Sequence, residues 1–227
     1  MKDLNIDEIL ERAAQARHPV DPALLARVST SIAASLRPVR PLASASTLAW
    51  VLLALTTAIA VVSALALGPL GIQKLSGAEI GTIFPVLGIF TWLAAQVCVA
   101  EMTPGSVISN PAMRLLTLLV IWLAVDAIFF HDYGMNLFLP QGIPCLRAGL
   151  IVAMPTGIAA WLVLRRGFAV DRSAAGLSAG TLAGLAGLIM LEIHCPNFHA
   201  MHVMVWHTAV VPLSALAGFI VARIPKA

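Results

Sequence analysis

Residues 46–69 read STLAWVLLALTTAIAVVSALALGP, a stretch without a single charged side chain. A bilayer core takes roughly 20 apolar residues per helix. Five further stretches of this kind follow, at approximately residues 78–102, 113–130, 146–164, 173–193 and 200–222. With 59% hydrophobic residues, 11% charged residues and a mean hydropathy of +0.92, the chain is more apolar than a soluble domain needs to be. We therefore predict an all-α integral membrane protein with six transmembrane helices.

The segments between these stretches carry helix breakers. Pro69-Leu70-Gly71, Pro104-Gly105 and Pro140-Gln141-Gly142 each separate two apolar stretches. The first apolar stretch begins only after about residue 44, which is too late for a signal peptide, so it is predicted to remain as a span.

The basic residues predict how the spans are oriented. Of the 14 lysines and arginines, 12 fall on one side of the predicted spans, and only Lys74 and Arg147 fall on the other. Because basic residues are concentrated on the cytoplasmic side, both termini are predicted to be cytoplasmic, with loops 70–77, 131–145 and 194–199 facing outward. This bias also accounts for the pI of about 9.1, so no contact with nucleic acid is inferred.

Residues 1–44 precede the membrane domain, 45–227, and are predicted to form two short amphipathic helices. Asn5 and Glu8 have capping-box spacing, and Asp21-Pro22 is typical of a helix start. About forty residues cannot bury a core, so the apolar faces need another surface, either the inner leaflet or a partner protein. The apolar residues concerned are Ile6, Ile9, Leu10, Leu24, Leu25, Val28, Ile32 and Leu36.

Two cysteines are predicted to meet at the outward-facing end of the protein. Cys145 begins the predicted fourth span and Cys195 follows the fifth, and both spans rise roughly 30 Å or more from the same turn. A disulfide there would close a loop of about fifty residues. In the chain-entropy model this would stabilise the folded state by about 4 kcal/mol. The pair is either a structural staple or a sensor that an oxidant bridges or a soft metal ion captures. Cys98, inside the second span, is predicted to be a packing residue.

Several histidines lie near Cys195 in the sequence and suggest a metal site at the outward-facing end. His194, His199 and His202 are the candidate ligands, and His131 with Asp132 could approach from the preceding outer loop. The other interpretation is that these histidines bond to loop carbonyls. No cofactor is predicted to be obligatory, and a transient thiophilic or transition metal ion at the outer face is the only ligand suggested.

Two carboxylates lie within predicted spans. Asp126 and Glu101 are costly in a membrane and favour a functional role, which would be a proton or ion path in a small transporter. Alternatively, water or a partner such as Arg114 or His131 satisfies them. Because no Cys-x-x-Cys, Ser-His-Asp or phosphate-binding pattern occurs, an enzyme is not predicted. Glycines at 176, 180, 184 and 187 predict close packing of the fifth helix.

Several short segments together resemble one protein family. They are Ser35-Leu36-Arg37-Pro38-Val39-Arg40-Pro41-Leu42, Cys145-Leu146, Leu164-Arg165-Arg166-Gly167, the small-residue fifth helix, and His194-Cys195-Pro196 followed by Trp206. In this combination the chain resembles the NrsF family, the six-span bacterial anti-sigma factors named as negative regulators of sigma F.

The resemblance implies a membrane-bound anti-sigma factor in the bacterial cytoplasmic (inner) membrane. Its head would hold an extracytoplasmic-function sigma factor away from RNA polymerase, and Cys145 and Cys195 would sense stress and release it. The eight apolar residues of segment 1–44 would then form the sigma-binding surface. Phe198, His199 and His202 stand where acidic or small residues are expected in relatives, and this departure favours a metal ion as the stimulus.

Overall fold

The computed structural model describes residues 6, 11, 21–35, 43–103, 111–135, 137–167, 169 and 171–224. The chain divides into two compact units, residues 1–41 and residues 42–227. Within the described residues the regular secondary structure is helical throughout.

In the first unit, helix α1 spans Pro22–Ser35. Asp21 caps it: its side-chain Oδ1 accepts a hydrogen bond from Ala23 N at 2.9 Å, and its backbone oxygen accepts from Leu24 N and Leu25 N. The missing N–H of Pro22 costs nothing at this position. The predicted helix start is confirmed.

The apolar face of α1 is exposed. Leu24, Leu25 and Val28 keep 49%, 55% and 47% of their surface accessible, and Ile32 keeps 54%. Ile6 is helical and exposed. Ile9, Leu10, Leu36 and the predicted Asn5 cap lie outside the described residues.

The second unit contains six helices that are long and apolar enough to cross a membrane, which confirms the six predicted apolar helices. Five of them carry large apolar side chains on their outer surfaces, including Trp50, Ile89, Ile128, Ile158 and Leu216. Such surfaces suit lipid rather than water. The helices are α2 (Ala45–Leu67), α3 (Gly77–Ala100), α4 (Pro111–Phe129), α5 (Phe138–Leu164), α6 (Arg172–His194) and α7 (Ala200–Arg223).

Helix α5 begins eight residues earlier than the sequence predicts. Pro140 does not break it, because Pro140 lies in the first turn, where its missing N–H has no helical partner. Gly142 does not break it either: a Cβ there would overlap the indole of Trp206, so this glycine allows close packing. Cys145 therefore lies in the third turn of α5 and does not begin the helix.

Helix α6 is the centre of the second unit. Every residue from 178 to 193 is buried. Glycines let the neighbouring helices approach its backbone: a Cβ at Gly176 or Gly180 would overlap the backbone oxygen of Gly218 or Ser214 on α7. Gly187 lies equally close to the Gly149 carbonyl on α5. The predicted role of the glycines in close packing is confirmed.

Candidate functional site

One end of the second unit, which we call the cysteine end, consists of loops 68–76, 130–135 and 195–199. Gly71 N donates to the carbonyls of Ile193 and His194, so the first loop lies against the end of α6. Ala200 N donates to Asp132 O at 2.7 Å, which joins the start of α7 to the second loop. These backbone bonds fix the positions of the side chains around Cys195.

Cys145 and Cys195 are adjacent free thiols at this end. Their Sγ atoms are 3.4 Å apart. Cys145 is half-buried on α5, and Cys195 is buried directly after α6, where its N–H bonds to Leu191 O. The hydrogen bond with Cys145, followed by burial, raises the pKa of the Cys195 thiol. The predicted meeting of the two sulfurs is confirmed, whereas Cys98 is buried in the core, as predicted for a packing residue.

Two histidines of α7 complete a four-residue cluster with the cysteines. His202 Nε2 lies 3.5 Å from Cys195 Sγ. His207 packs edge-on against His202, with ring centroids 5.1 Å apart. One donor atom from each of Cys145, Cys195, His202 and His207 lies within 4.8 Å of the other three. Three of these side chains are fully buried.

A π-turn brings the two histidines onto one side of α7. Residues five apart in an α-helix are rotated by about 140° from each other. Here residues Val203–His207 form a wider turn, in which Thr208 N donates to Val203 O at 3.2 Å. Such single π-turns are frequent at functional sites. Sequence analysis missed His207 because its five-residue separation from His202 does not match an α-helical face.

Glu192 fixes the orientation of the His207 ring. His207 Nδ1 lies 3.0 Å from Glu192 Oε1, and both side chains are completely buried. Because Nδ1 is engaged, Nε2 of His207 is left to face the cluster, and it has no hydrogen-bond partner among the described residues. A carboxylate that orients a histidine in this way is the usual outer partner of a histidine ligand.

The structure holds His194 and His199 away from the thiols. His194 Nδ1 lies 2.7 Å from Gly68 O, and His199 Nδ1 lies 2.7 Å from Asp132 Oδ2. The backbone N–H of Gly134, together with His199, keeps the pKa of the Asp132 carboxyl below its usual value. Of the three predicted ligands only His202 joins the cluster, since the other two are engaged in fixing the loops.

The two membrane carboxylates lie in different places. Asp126 on α4 is completely buried beside Glu192, His207 and Thr208, and its oxygens have no hydrogen-bond partner within the described part of the chain. Glu101 follows α3 at the opposite end of the unit. Neither Arg114 nor His131 pairs with Asp126, in contrast to the predicted alternative.

The six long apolar helices of the second unit are typical of a membrane protein. The family model for NrsF, described as negative regulator of sigma F, matches residues 32–225. The chain therefore belongs to the NrsF family and is an anti-sigma factor, a class that in general is not enzymatic. No curated protein and no solved structure matches it.

Proposed function

We propose that this anti-sigma factor holds an extracytoplasmic-function sigma factor at the bacterial cytoplasmic membrane and releases it when Cys145 and Cys195 react. The observation that carries the proposal is the 3.4 Å separation of two free thiols at one end of the unit. The stimulus is an oxidant or a thiophilic metal ion. The head, residues 1–44, binds the sigma factor, and the protein itself does not touch nucleic acid.

The exposed face of α1 supports the assignment of the head. Leu24, Leu25 and Val28 present a continuous apolar surface on one side of a short helix. Exposed apolar surfaces of this kind typically mark a binding site, and an amphipathic helix is a common element in such contacts. Leu24, Leu25 and Val28 precede the stretch matched by the family model, which begins at residue 32, so the support for this surface comes from its exposure.

The thiol pair supports the assignment of the sensor. A disulfide bond is about 2.05 Å long, so oxidation must bring the two sulfurs, now 3.4 Å apart, more than 1 Å closer. In that step each thiol loses a proton and the pair gives two electrons to the oxidant. Because α6 is packed by backbone contacts against α5 and α7, a shift at its end displaces its neighbours. That displacement is the physical basis proposed for release.

The orientation of the spans has a direct test. With 12 of 14 basic residues on one side, a cytoplasm-active reporter fused after Ala227 should be active, and the same reporter inserted after Asp132 should be silent. A periplasm-active reporter at the same two positions should give the reverse pattern. An active cytoplasmic reporter at Asp132 would contradict the proposed topology.

The sensor role predicts that the two cysteines act as one unit. Replacing either Cys145 or Cys195 by serine should abolish induction of the sigma-dependent promoter by oxidant, because a single thiol cannot form the bridge. The double variant should respond no worse than either single variant, which is the non-additivity expected of coupled residues. A promoter reporter in the four strains measures this.

Cys98 provides the matched control. It is buried in the core away from the other cysteines, so Cys98→Ala should keep normal induction. Normal induction in Cys145→Ser and Cys195→Ser cells would end the sensor proposal and leave the pair as a structural element.

A further inference from the structure

We infer that Cys145, Cys195, His202 and His207 form one four-coordinate site for a divalent d¹⁰ cation, Zn²⁺ or its softer homologue Cd²⁺. The inference deepens the sensor part of the proposed function. Only the claim that metal binding regulates sigma-factor release rests on that function. Binding itself can be measured without a sigma factor. The ligand set differs from the one that the sequence suggests, since His207 replaces His194 and His199.

The donor atoms all lie within 4.8 Å of one another, and two of their distances are close to those of a tetrahedral site. Bonds of about 2.3 Å to sulfur and about 2.05 Å to nitrogen place two sulfurs about 3.8 Å apart and a sulfur and a nitrogen about 3.6 Å apart. The sulfurs are 3.4 Å apart, and Cys195 Sγ lies 3.5 Å from His202 Nε2. Only shifts of a few tenths of an ångström separate these distances from a filled site.

The donor chemistry selects the class of ion. Two sulfurs and two imidazoles suit Zn²⁺ and softer ions, whereas Mg²⁺ and Ca²⁺ prefer oxygen ligands. On binding, each thiol loses its proton, and the two thiolates cancel the charge of the ion. The ion and its four ligands are therefore neutral together, which suits a site in which three of the four residues are buried.

The contact of Glu192 with His207 distinguishes this cluster from a chance grouping. A carboxylate buried 3.0 Å from Nδ1 is costly unless it serves a partner. Here it leaves Nε2 as the coordinating nitrogen and fixes the ring direction before any ion arrives. The π-turn at Val203–His207 provides the second element of preorganisation, because it aligns both imidazoles.

An ion at this site would join three helices at the cysteine end. Cys145 comes from α5, Cys195 follows α6, and both histidines come from α7. Elsewhere the backbones of these helices approach one another closely at glycines. The ion would hold all three together at one point, in the same place where oxidation would join only two of them.

The test uses the full chain purified in detergent, reduced and metal-free. Titration with Cd²⁺, followed by the thiolate-to-metal absorption in the ultraviolet, should show one ion per chain, and excess Zn²⁺ should compete with Cd²⁺ for the same site. His202→Gln and His207→Gln should each weaken binding by more than about 100-fold, since even outer partners contribute about 10–100-fold. Glu192→Gln should keep one ion per chain with affinity lowered within that smaller range.

The controls are the two histidines that bond elsewhere. His194→Gln and His199→Gln should bind Cd²⁺ as the parent chain does. Cys145→Ala, at a half-buried position, replaces the histidine variants as the test of the site if those fail to fold. Unchanged affinity in folded His202→Gln and His207→Gln, or equal losses in the two controls, would overturn the four-ligand site.

The same variants separate this inference from the proposed function. If binding depends on all four ligands but Cd²⁺ leaves the promoter silent, the site stands and the metal-sensing role fails. If the histidine variants bind Cd²⁺ normally while oxidant still induces through the cysteines, the site fails and the thiol sensor stands.

Discussion

Gly180→Val should strongly destabilise the protein and switch on the sigma-dependent promoter without any stimulus. A Cβ at Gly180 overlaps Ser214 O and lies 2.8 Å from Ala215 Cα, and both are backbone atoms of α7. Backbone cannot move aside as a flexible side chain can, so the helices must separate. We expect a loss of roughly 3 kcal/mol or more, at or above the upper end for overpacking. Thermal unfolding in detergent and the cellular level of the chain measure it.

Gly88→Val is the matched control for that substitution. Gly88 also lies within a span, on α3, but a Cβ there meets nothing within 4 Å. Valine at this exposed position should change the unfolding temperature little and leave the promoter silent. If Gly180→Val unfolds at the parent temperature, the close approach of α6 and α7 is not a source of stability.

Leu25→Asp combined with Val28→Asp should abolish sigma-factor binding by the head. These residues are three apart on the exposed apolar face of α1. In the proposed complex that face is covered by the sigma factor, so two carboxylates would be buried without partners, at a cost of several kcal/mol. Co-purification of the sigma factor with the full chain, together with the promoter reporter, measures the loss.

The control for the head places the same charges on the opposite face of α1. Ala26 and Thr30 are both exposed, and Ala26→Asp with Thr30→Asp adds two carboxylates without touching Leu25 or Val28. This variant should bind as the parent chain does. A sigma factor that co-purifies with Leu25→Asp/Val28→Asp, or that is lost from both variants equally, would contradict the proposed surface.

The spans could be predicted from sequence because the bilayer imposes a length. A helix must present about 20 apolar residues to cross it, and six stretches meet that condition. The meeting of Cys145 and Cys195 followed from counting residues along two antiparallel helices joined by a short turn. The glycines of α6 predicted close contacts, but their partners on α5 and α7 depend on how the helices associate.

The parts that sequence analysis missed depend on local geometry that composition does not encode. Pro140 and Gly142 read as a helix break, yet one lies in a first turn and the other accommodates Trp206. The histidine pair was chosen by α-helical spacing, which favours His199 with His202. The inserted residue of the π-turn brings in His207 instead, and only the folded chain reveals its contact with Glu192.

The π-turn of α7 also has a consequence for protein engineering and for pattern searches. His202 and His207 have four residues between them. They lie on the same side of the helix because the helix accommodates an extra residue between 203 and 207. A search pattern written for regular helices, with two or three residues between histidines, passes over this pair. Deleting one residue inside the turn would convert it to an ordinary helical turn with His-x₃-His spacing. Conversely, inserting one residue into a regular helix is a simple way to redirect a designed side chain.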